Sequence, residues 1–496
     1  MAKITEKQGH LSPPVRRILR SDYLKLVPIM VLAFYIAFIP HQDFLYPVHL
    51  DEWIHMALAK QVIAEAKAMG LTNPFVGQGI HENQIYEVSF HVFWAIFHQI
   101  TGLPWLAIFR YFPGIIFVFT VLSVFVLGRR QGFGWEAALF TCLIPTRVGI
   151  LGPGFLVPVA MGLFIIPLAL FATFNLRGMR SHLILLIFAL FLLSMHPPTA
   201  IALVIILIPH ILLNLKGDLR HSLGTALALA LPFSLPWVST QLWRTARSLL
   251  SPQFVPKYVE LPSLIPIYGY LPVLLALVGT FVLALRGGKR NYGLVLGLLA
   301  ILAMLATFFT LHYGQAFVYI RGIMPMLLLM SMVAGAGLMW LRNLNLPQGL
   351  TSYLKAPPAV SNVGLVLCLV VIALTLYWAI PARQNTPYYH MINTEDYHAF
   401  VWIREYVDES CQRAILNPWK GVPFTAITGR LAYARIYGTP SPNSGRARRF
   451  LSQGSTNTAF LRENGISIVY TRGKVNNPDL ARVRDNVYLL QDREPE

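Results

Sequence analysis

Charge is what this sequence has least of. Only 12% of its 496 residues are Asp, Glu, Lys or Arg, about half the share carried by a soluble domain. That shortage excludes an ordinary water-soluble globule and leaves a chain whose surface mostly meets hydrocarbon. Cysteine is equally scarce: Cys142, Cys368 and Cys411 are far apart, the first two inside apolar runs. No disulfide framework or metal-ligand spacing can be read from them. There is no P-loop and no Gly-rich dinucleotide fingerprint, which argues against a nucleotide-sugar enzyme of the cytoplasmic face. No small-residue cleavage site follows the first apolar run, and a polar, basic stretch to Lys25 precedes it. The run is therefore expected to remain as a first span rather than to leave as a signal peptide.

What the chain does have is long hydrophobic runs. Hydrophobic residues make up 55% of it, and a spanning helix needs about 20 largely apolar residues. Candidate spans fall near 23–40, 105–128, 136–151, 155–176, 182–195, 199–215, 222–239, 266–285, 292–311, 323–341 and 361–380. Pro197-Pro198 and Gly152-Pro153-Gly154 each break a longer run into two, as tight turns between spans do. Lys and Arg outnumber Asp and Glu by 40 to 22. In a soluble protein such an excess would suggest nucleic acid. Here much of it sits in short loops, where it sets orientation, and no nucleic-acid partner is expected.

The basic residues order the spans. Lys3, Lys7, Arg16, Arg17, Arg20 and Lys25 precede the first and place the N-terminus in the cytoplasm. Even-numbered spans then end at Arg129-Arg130, Arg177/Arg180, Lys216/Arg220, Arg286/Lys289/Arg290 and Arg342. The opposite ends carry few basic residues, and this alternation over successive loops supports about eleven spans. The resulting fold class is an α-helical polytopic membrane bundle with a small C-terminal α/β extracytoplasmic domain. Its parts are a cytoplasmic segment 1–22, a transmembrane domain 23–380 with its first external loop at 41–104, and an outer domain 381–496. The expected location is a plasma or inner membrane.

The first external loop concentrates the chemistry. Asp51 and Glu52 open a helix-forming stretch with an apolar stripe of Met56, Ala59, Val62 and Ile63, where the positive end of the helix favours carboxylates. His55 lies four residues after Asp51 and so shares its face. A solvated acidic N-cap is the structural alternative. Against it stand the position at the bilayer edge, the flanking Trp53 and His55, and the polar groups gathered in other external turns: Arg147, His196, His312, Tyr313, Tyr319 and Arg321. Ionisable groups at membrane depth are costly and are functional candidates by default. A carboxylate can take a proton from an acceptor hydroxyl, while Arg and His can neutralise a phosphate leaving group. A sugar linked to a lipid phosphate meets both needs, with its tail in the bilayer and its head at the surface.

At these residues the sequence resembles the GT-C superfamily of polyprenyl-phosphate-sugar-dependent glycosyltransferases. Asp51-Glu52 matches the acidic pair which that superfamily carries just after its first span. Tyr86-Glu-Val-Ser-Phe-His91 through Thr101-Gly102 is similar to its juxtamembrane segment, so the apolar 87–101 is not counted as a span. Leu127-Gly-Arg-Arg-Gln-Gly-Phe-Gly134 resembles the cytoplasmic end of its second span. The resemblance implies transfer of a sugar from a polyprenyl-phosphate donor, with inversion, to a glycan, lipid or protein acceptor at the external face. Asp51 would be the acceptor-activating base, with Glu52 supporting or sharing that role. The Trp-Trp-Asp-type motif of oligosaccharyltransferases is absent, and Trp419-Lys420-Gly421 does not replace it, which favours transfer of a single sugar.

Donor and substrate contacts are assigned to His55, Glu87, His91, Arg147, His196, Lys257, His312, Tyr313 and Arg321, with Arg321 and His196 on the donor phosphate. A snorkelling interface Arg and polar turn residues are the structural alternatives. His55 and His91 are compatible with a divalent metal, although no ligand set forces one. In the tail, Glu395–Val407 reads as a helix and Ala414–Leu416 as a strand. Thr456–Asn464 followed by Ile466–Tyr470 reads as helix then strand, with 487–490 closing a small α/β layer. Arg446, Arg448 and Arg449 form a basic run able to meet anionic headgroups. The rival function is a transporter or flippase of lipid-linked sugars, whose class tends to show internal repeats and midplane sites. No clear repeat is present here. A non-catalytic scaffold subunit is the third reading.

Overall fold

The computed structural model describes residues 22–491 except 69, 78–86, 148, 236–263, 313–315, 345–362 and 438. Apolar composition yields helices nearly everywhere the sequence predicts spans: α1 (Asp22–Phe38), α4 (Trp105–Arg129), α5 (Gly134–Cys142), α6 (Pro158–Asn175), α7 (Met179–Met195), α8 (Pro197–Asn214), α9 (Leu219–Ala230), α11 (Tyr270–Arg286), α12 (Lys289–Leu311), α13 (Ala316–Arg342) and α14 (Val363–Gln384). Two helices of the first loop, α2 (Leu50–Glu65) and α3 (Val88–Thr101), and the short α10 (Leu264–Tyr268) complete the bundle.

Among the described residues seven helices are long and apolar enough to cross a membrane: α1, α4, α6, α8, α12, α13 and α14. The shorter α7 and α11 are apolar as well. Eleven is therefore not the number that length supports. Helix α5 stops after nine residues, just before the turn that contains Pro145. Helix α9 stops after twelve and passes into a 3-10 turn, Leu231–Ser234, that holds Pro232. Proline has no N–H to continue a helix. Helix α3 has 14 residues, too few to span.

Helix α13 is the axis. It is the most enclosed of the seven long helices and packs on α11, α5, α12, α14 and α8. Its crossing with α11 is close enough that a Cβ added to Gly337 would lie 2.2 Å from the Leu275 carbonyl oxygen. Without a hydrophobic effect between helices in lipid, such close backbone contact supplies the packing energy.

After α14 the chain forms α15 (Thr394–Tyr406), β1 (Arg413–Ile415), α16 (Gly421–Thr428), β2 (Leu431–Ala432), β3 (Ile436–Tyr437), β4 (Thr439–Pro440), α17 (Ser444–Ser452), α18 (Thr458–Glu463), β5 (Ile468–Tyr470), β6 (Leu480–Arg484) and β7 (Val487–Leu490). Five strands make one sheet in the order β2-β1-β5-β7-β6. β1 pairs in parallel with both β2 and β5, and β7 pairs antiparallel with β5 and β6. This domain rests on the first loop. A shared apolar core joins Trp53, Ile54 and Trp94 to Phe400, Phe424 and Tyr470. Lys60 Nζ donates to the Ala426 carbonyl at 2.6 Å, and Arg435 Nη1 to the Phe75 carbonyl at 2.6 Å.

Candidate active site

The start of α2 fixes the acid pair. His49 is the N-cap: its Nδ1 accepts from the Asp51 N–H at 3.0 Å. Glu52 closes the reciprocal bond, accepting from the His49 N–H at 3.1 Å and the Val48 N–H at 2.9 Å on Oε2. Its Oε1 accepts from the Leu156 N–H at 2.9 Å, 104 residues further on. Glu52 is wholly buried, and burial pushes its carboxyl up to about 8 against the pull of those three N–H groups. Both of its oxygens thus accept backbone N–H bonds. It pins the loop before α6 to the start of α2.

Asp51 points elsewhere. Its carboxylate lies 3.5 Å from Arg321 Nη2 on α13 and keeps 28% of its side-chain surface accessible. The two residues line one cavity of about 240 Å³ with His55, Glu87 and His196, walled by apolar residues that include Leu151 and Val159. Glu87 is the N-cap of α3 and adopts a left-handed φ of 68°. Such a backbone is uncommon for a residue with a Cβ and concentrates at functional sites. Its carboxylate lies 3.9 Å from His55 Nε2 and 3.7 Å from His196 Nε2. Burial pushes the Glu87 carboxyl up to about 8, although Arg321 draws it down. His55 Nδ1 and His91 Nε2 share a hydrogen bond of 3.0 Å. Burial, then the neighbouring His91, hold His55 well below the usual imidazole value, so it is neutral at pH 7 and offers a hydrogen bond rather than a charge. His196 Nδ1 is fixed by Thr199 Oγ1 at 2.6 Å.

Asp51, His55, Glu87, His196 and Arg321 are thus brought together from four separate parts of the sequence. His91 stands behind His55, outside the cavity lining. Arg147 and His312 are exposed and line no part of the cavity, and His312 caps the end of α12 with a left-handed φ of 57°. Lys257 and Tyr313 lie outside the described residues. The apolar wall was not anticipated. Leu151, itself left-handed at φ 47°, precedes the Gly152-Pro153-Gly154 break, and that break was the available signal. Among the described residues no three His, Cys, Asp or Glu side chains are placed to hold a metal ion.

No protein family matches the chain by sequence, and no curated protein matches it. Solved structures match its fold over almost its whole length. The apo oligosaccharyltransferase of Archaeoglobus fulgidus superposes with a TM-score of 0.60 at 14% identity, over 91% of this chain and 70% of its own. ArnT from Cupriavidus metallidurans bound to undecaprenyl phosphate gives 0.53 at 13% identity, over 94% of this chain and 97% of its own. This is the GT-C fold. The mycobacterial arabinofuranosyltransferase AftD shares it too, at a TM-score of 0.53 and 16% identity over 94% of this chain, which spans 37% of AftD. In this fold the carboxylate–guanidinium pair Asp51–Arg321 sits where the first loop, the turn before α6 and the start of α13 meet.

Proposed function

We propose that this chain is a membrane glycosyltransferase that moves a single sugar from a polyprenyl-phosphate donor to an acceptor hydroxyl on a glycan, lipid or protein. The observation that carries the reading is the pairing of Asp51 with Arg321 across 270 residues of chain, at the rim of a cavity shared with Glu87, His55 and His196. The ion pair holds the Asp51 carboxylate at the cavity rim. Arg321 has five N–H donors in a fixed fork, enough to face Asp51 and a phosphate together. The undecaprenyl phosphate held by ArnT supports a donor of that lipid class.

The acceptor oxygen attacks the anomeric carbon while its proton passes to Asp51. The carbon–oxygen bond to the lipid phosphate breaks with its electron pair on the phosphate oxygen, and Arg321 stabilises the charge formed there. Attack opposite the leaving group inverts the anomeric carbon. His55 and His196 orient Glu87 and the sugar by hydrogen bonds. Glu52 positions Asp51. On this reading the N-terminus is cytoplasmic, and residues 381–496 and the cavity lie at the outer face of the plasma or inner membrane. The cavity takes the head group and the lipid tail stays in the bilayer.

The test uses membranes supplied with radiolabelled polyprenyl-phosphate sugar. Asp51→Asn is expected to lower label transfer by about 10²–10⁴-fold, the contribution of a positioned proton acceptor, with donor binding retained. Equal transfer by wild type and Asp51→Asn removes the base assignment. Donor movement across the bilayer with no label transferred by either protein points instead to a transporter.

A further inference from the structure

The outer α/β domain holds a second crevice, remote in sequence from the acid pair. It is about 370 Å³ in volume, and Asn417, Lys420, Arg448, Tyr470, Thr471 and Arg472 line it. Its place in the sheet has a topological cause. From β1 the chain runs through α16 to β2 on one side, then returns through α17 and α18 to β5 on the other side of β1. The strand order therefore reverses between β1 and β5, and open α/β sheets bind ligands outside the carboxyl ends of the strands at such a point. Asn417 follows the carboxyl end of β1, and Tyr470 to Arg472 form that of β5.

The charge in the crevice is positive and only partly balanced. Asp396 of α15, buried beneath it, accepts from Lys420 Nζ at 2.6 Å, from the Tyr470 hydroxyl at 2.6 Å and from Arg472 Nη2 at 3.1 Å. Glu395 pairs with the same Arg472 nitrogen at 3.0 Å. Two carboxylates thus face three cations. Arg448 has no carboxylate within ion-pair distance among the described residues. Arg472 meets Asn393, Asp396 and Glu395 through Nη2, one nitrogen of a guanidinium with five N–H donors, and Lys420 gives Asp396 one of its three. Charged N–H donors in a concave site are a receptor for an oxyanion. The neutral groups beside them, the Asn417 amide and the Thr471 and Ser452 hydroxyls, suit hydroxyl-rich ligands. The 3-10 turn that carries Lys420 also leaves Trp419 43% exposed, an aromatic face of the kind that takes the flat side of a sugar ring. A nucleotide is disfavoured, because Asn417-Pro418-Trp419-Lys420 stands where a Gly-rich phosphate turn would follow β1.

We propose that this crevice is a second, non-catalytic site that binds a saccharide bearing a carboxylate or phosphate, with Arg448 as its principal anion contact. The proposal does not depend on sugar transfer at Asp51. Its test is direct binding by the full chain in phosphatidylcholine nanodiscs, without donor, followed by calorimetry. The probes are digalacturonate, glucose 6-phosphate, a neutral digalactoside and inorganic phosphate. One of the two acidic sugars is expected to bind saturably at one site, and which one does so identifies the oxyanion. The neutral sugar should bind at least about tenfold more weakly, as loss of a charge-assisted hydrogen bond predicts, and so should inorganic phosphate, which lacks the sugar's hydroxyls and ring face. Arg448→Glu should weaken the acidic sugar by about tenfold or more. Arg449→Glu, one residue along the same helix and outside the crevice, should change it by less than about threefold, as for an exposed charge. Unchanged thermal unfolding of both variants, with Arg448→Gln in reserve, separates lost binding from lost folding. Failure of both acidic sugars to bind saturably overturns the proposal. So does equal binding of the neutral sugar or of phosphate, or an equal loss in the two arginine variants.

Discussion

Glu87 is the most constrained acid of the cavity. It holds a left-handed backbone, two imidazoles flank its carboxyl, and burial pushes that carboxyl up to about 8. A raised carboxyl favours the folded state most below the ordinary Glu value, and this contribution is lost as pH rises through the folded value. Thermal stability of the wild type should therefore fall between about pH 5 and pH 8 relative to Glu87→Gln, whose curve stays flatter through that window. Transfer activity should share the alkaline limb near pH 8 and lose it in Glu87→Gln, as read from pH–rate profiles of the two proteins. At Arg321 the fork geometry matters as well as the charge. Arg321→Lys should keep part of the ion pair to Asp51, yet lose donor affinity by about tenfold or more in a lipid-phosphate binding assay. The sequence showed Asp51 and Glu52 as one motif but not their division of labour. Neighbouring residues on a helix point about 100° apart, so one carboxyl faces the cavity and the other the loop. His55 was legible beside Asp51 because four residues make one turn. The partner of Arg321, 270 residues away, was legible only as a costly charge in need of one.

At the scale of elements, the segment from Leu143 to Val157 does most of the positioning while forming no helix. Glu52 holds it through the Leu156 N–H, and His41 Nε2 bonds the Gly154 carbonyl at 2.9 Å. Arg383 at the end of α14 donates to the Leu143 carbonyl at 2.7 Å. The segment doubles back so tightly that a Cβ on Gly152 would lie 2.1 Å from the Pro145 carbonyl oxygen. Gly152→Ala must shift that backbone and with it Leu151 and Val157 in the cavity wall. Activity is expected to fall by about 10²-fold, the scale of an ångström misplacement, while Asp51 and Arg321 remain in place. Kinetics alongside hydrogen exchange of residues 149–157 checks this. The sequence marked this stretch only as a Gly-Pro-Gly break between two spans. Its pairing with Glu52 and Arg383 is long-range, and periodicity carries no trace of such contacts.

For the whole molecule, the outer domain contributes none of the cavity residues and yet covers the back of α2. Trp53 and Ile54 pack in one core with Phe400 and Phe424. A chain ended at Thr386 keeps every cavity residue but exposes that core. Its transfer activity should fall by about an order of magnitude or more, with increased hydrogen exchange across α2 as the accompanying readout. The bundle-plus-tail layout was legible because charge alternation and composition act over hundreds of residues. The number of helices of spanning length was not, since Pro145 and Pro232 curtail α5 and α9 within otherwise apolar runs. Helix α13 adds a consequence for biogenesis. The central post of the bundle is among the last helices to leave the ribosome, after four of the five partners that surround it. Until it arrives, α5, α8, α11 and α12 have no common surface to close on, and Asp51 waits at the membrane without its counter-ion. Assembly of the cavity end is therefore a late, post-insertion event rather than one that proceeds span by span.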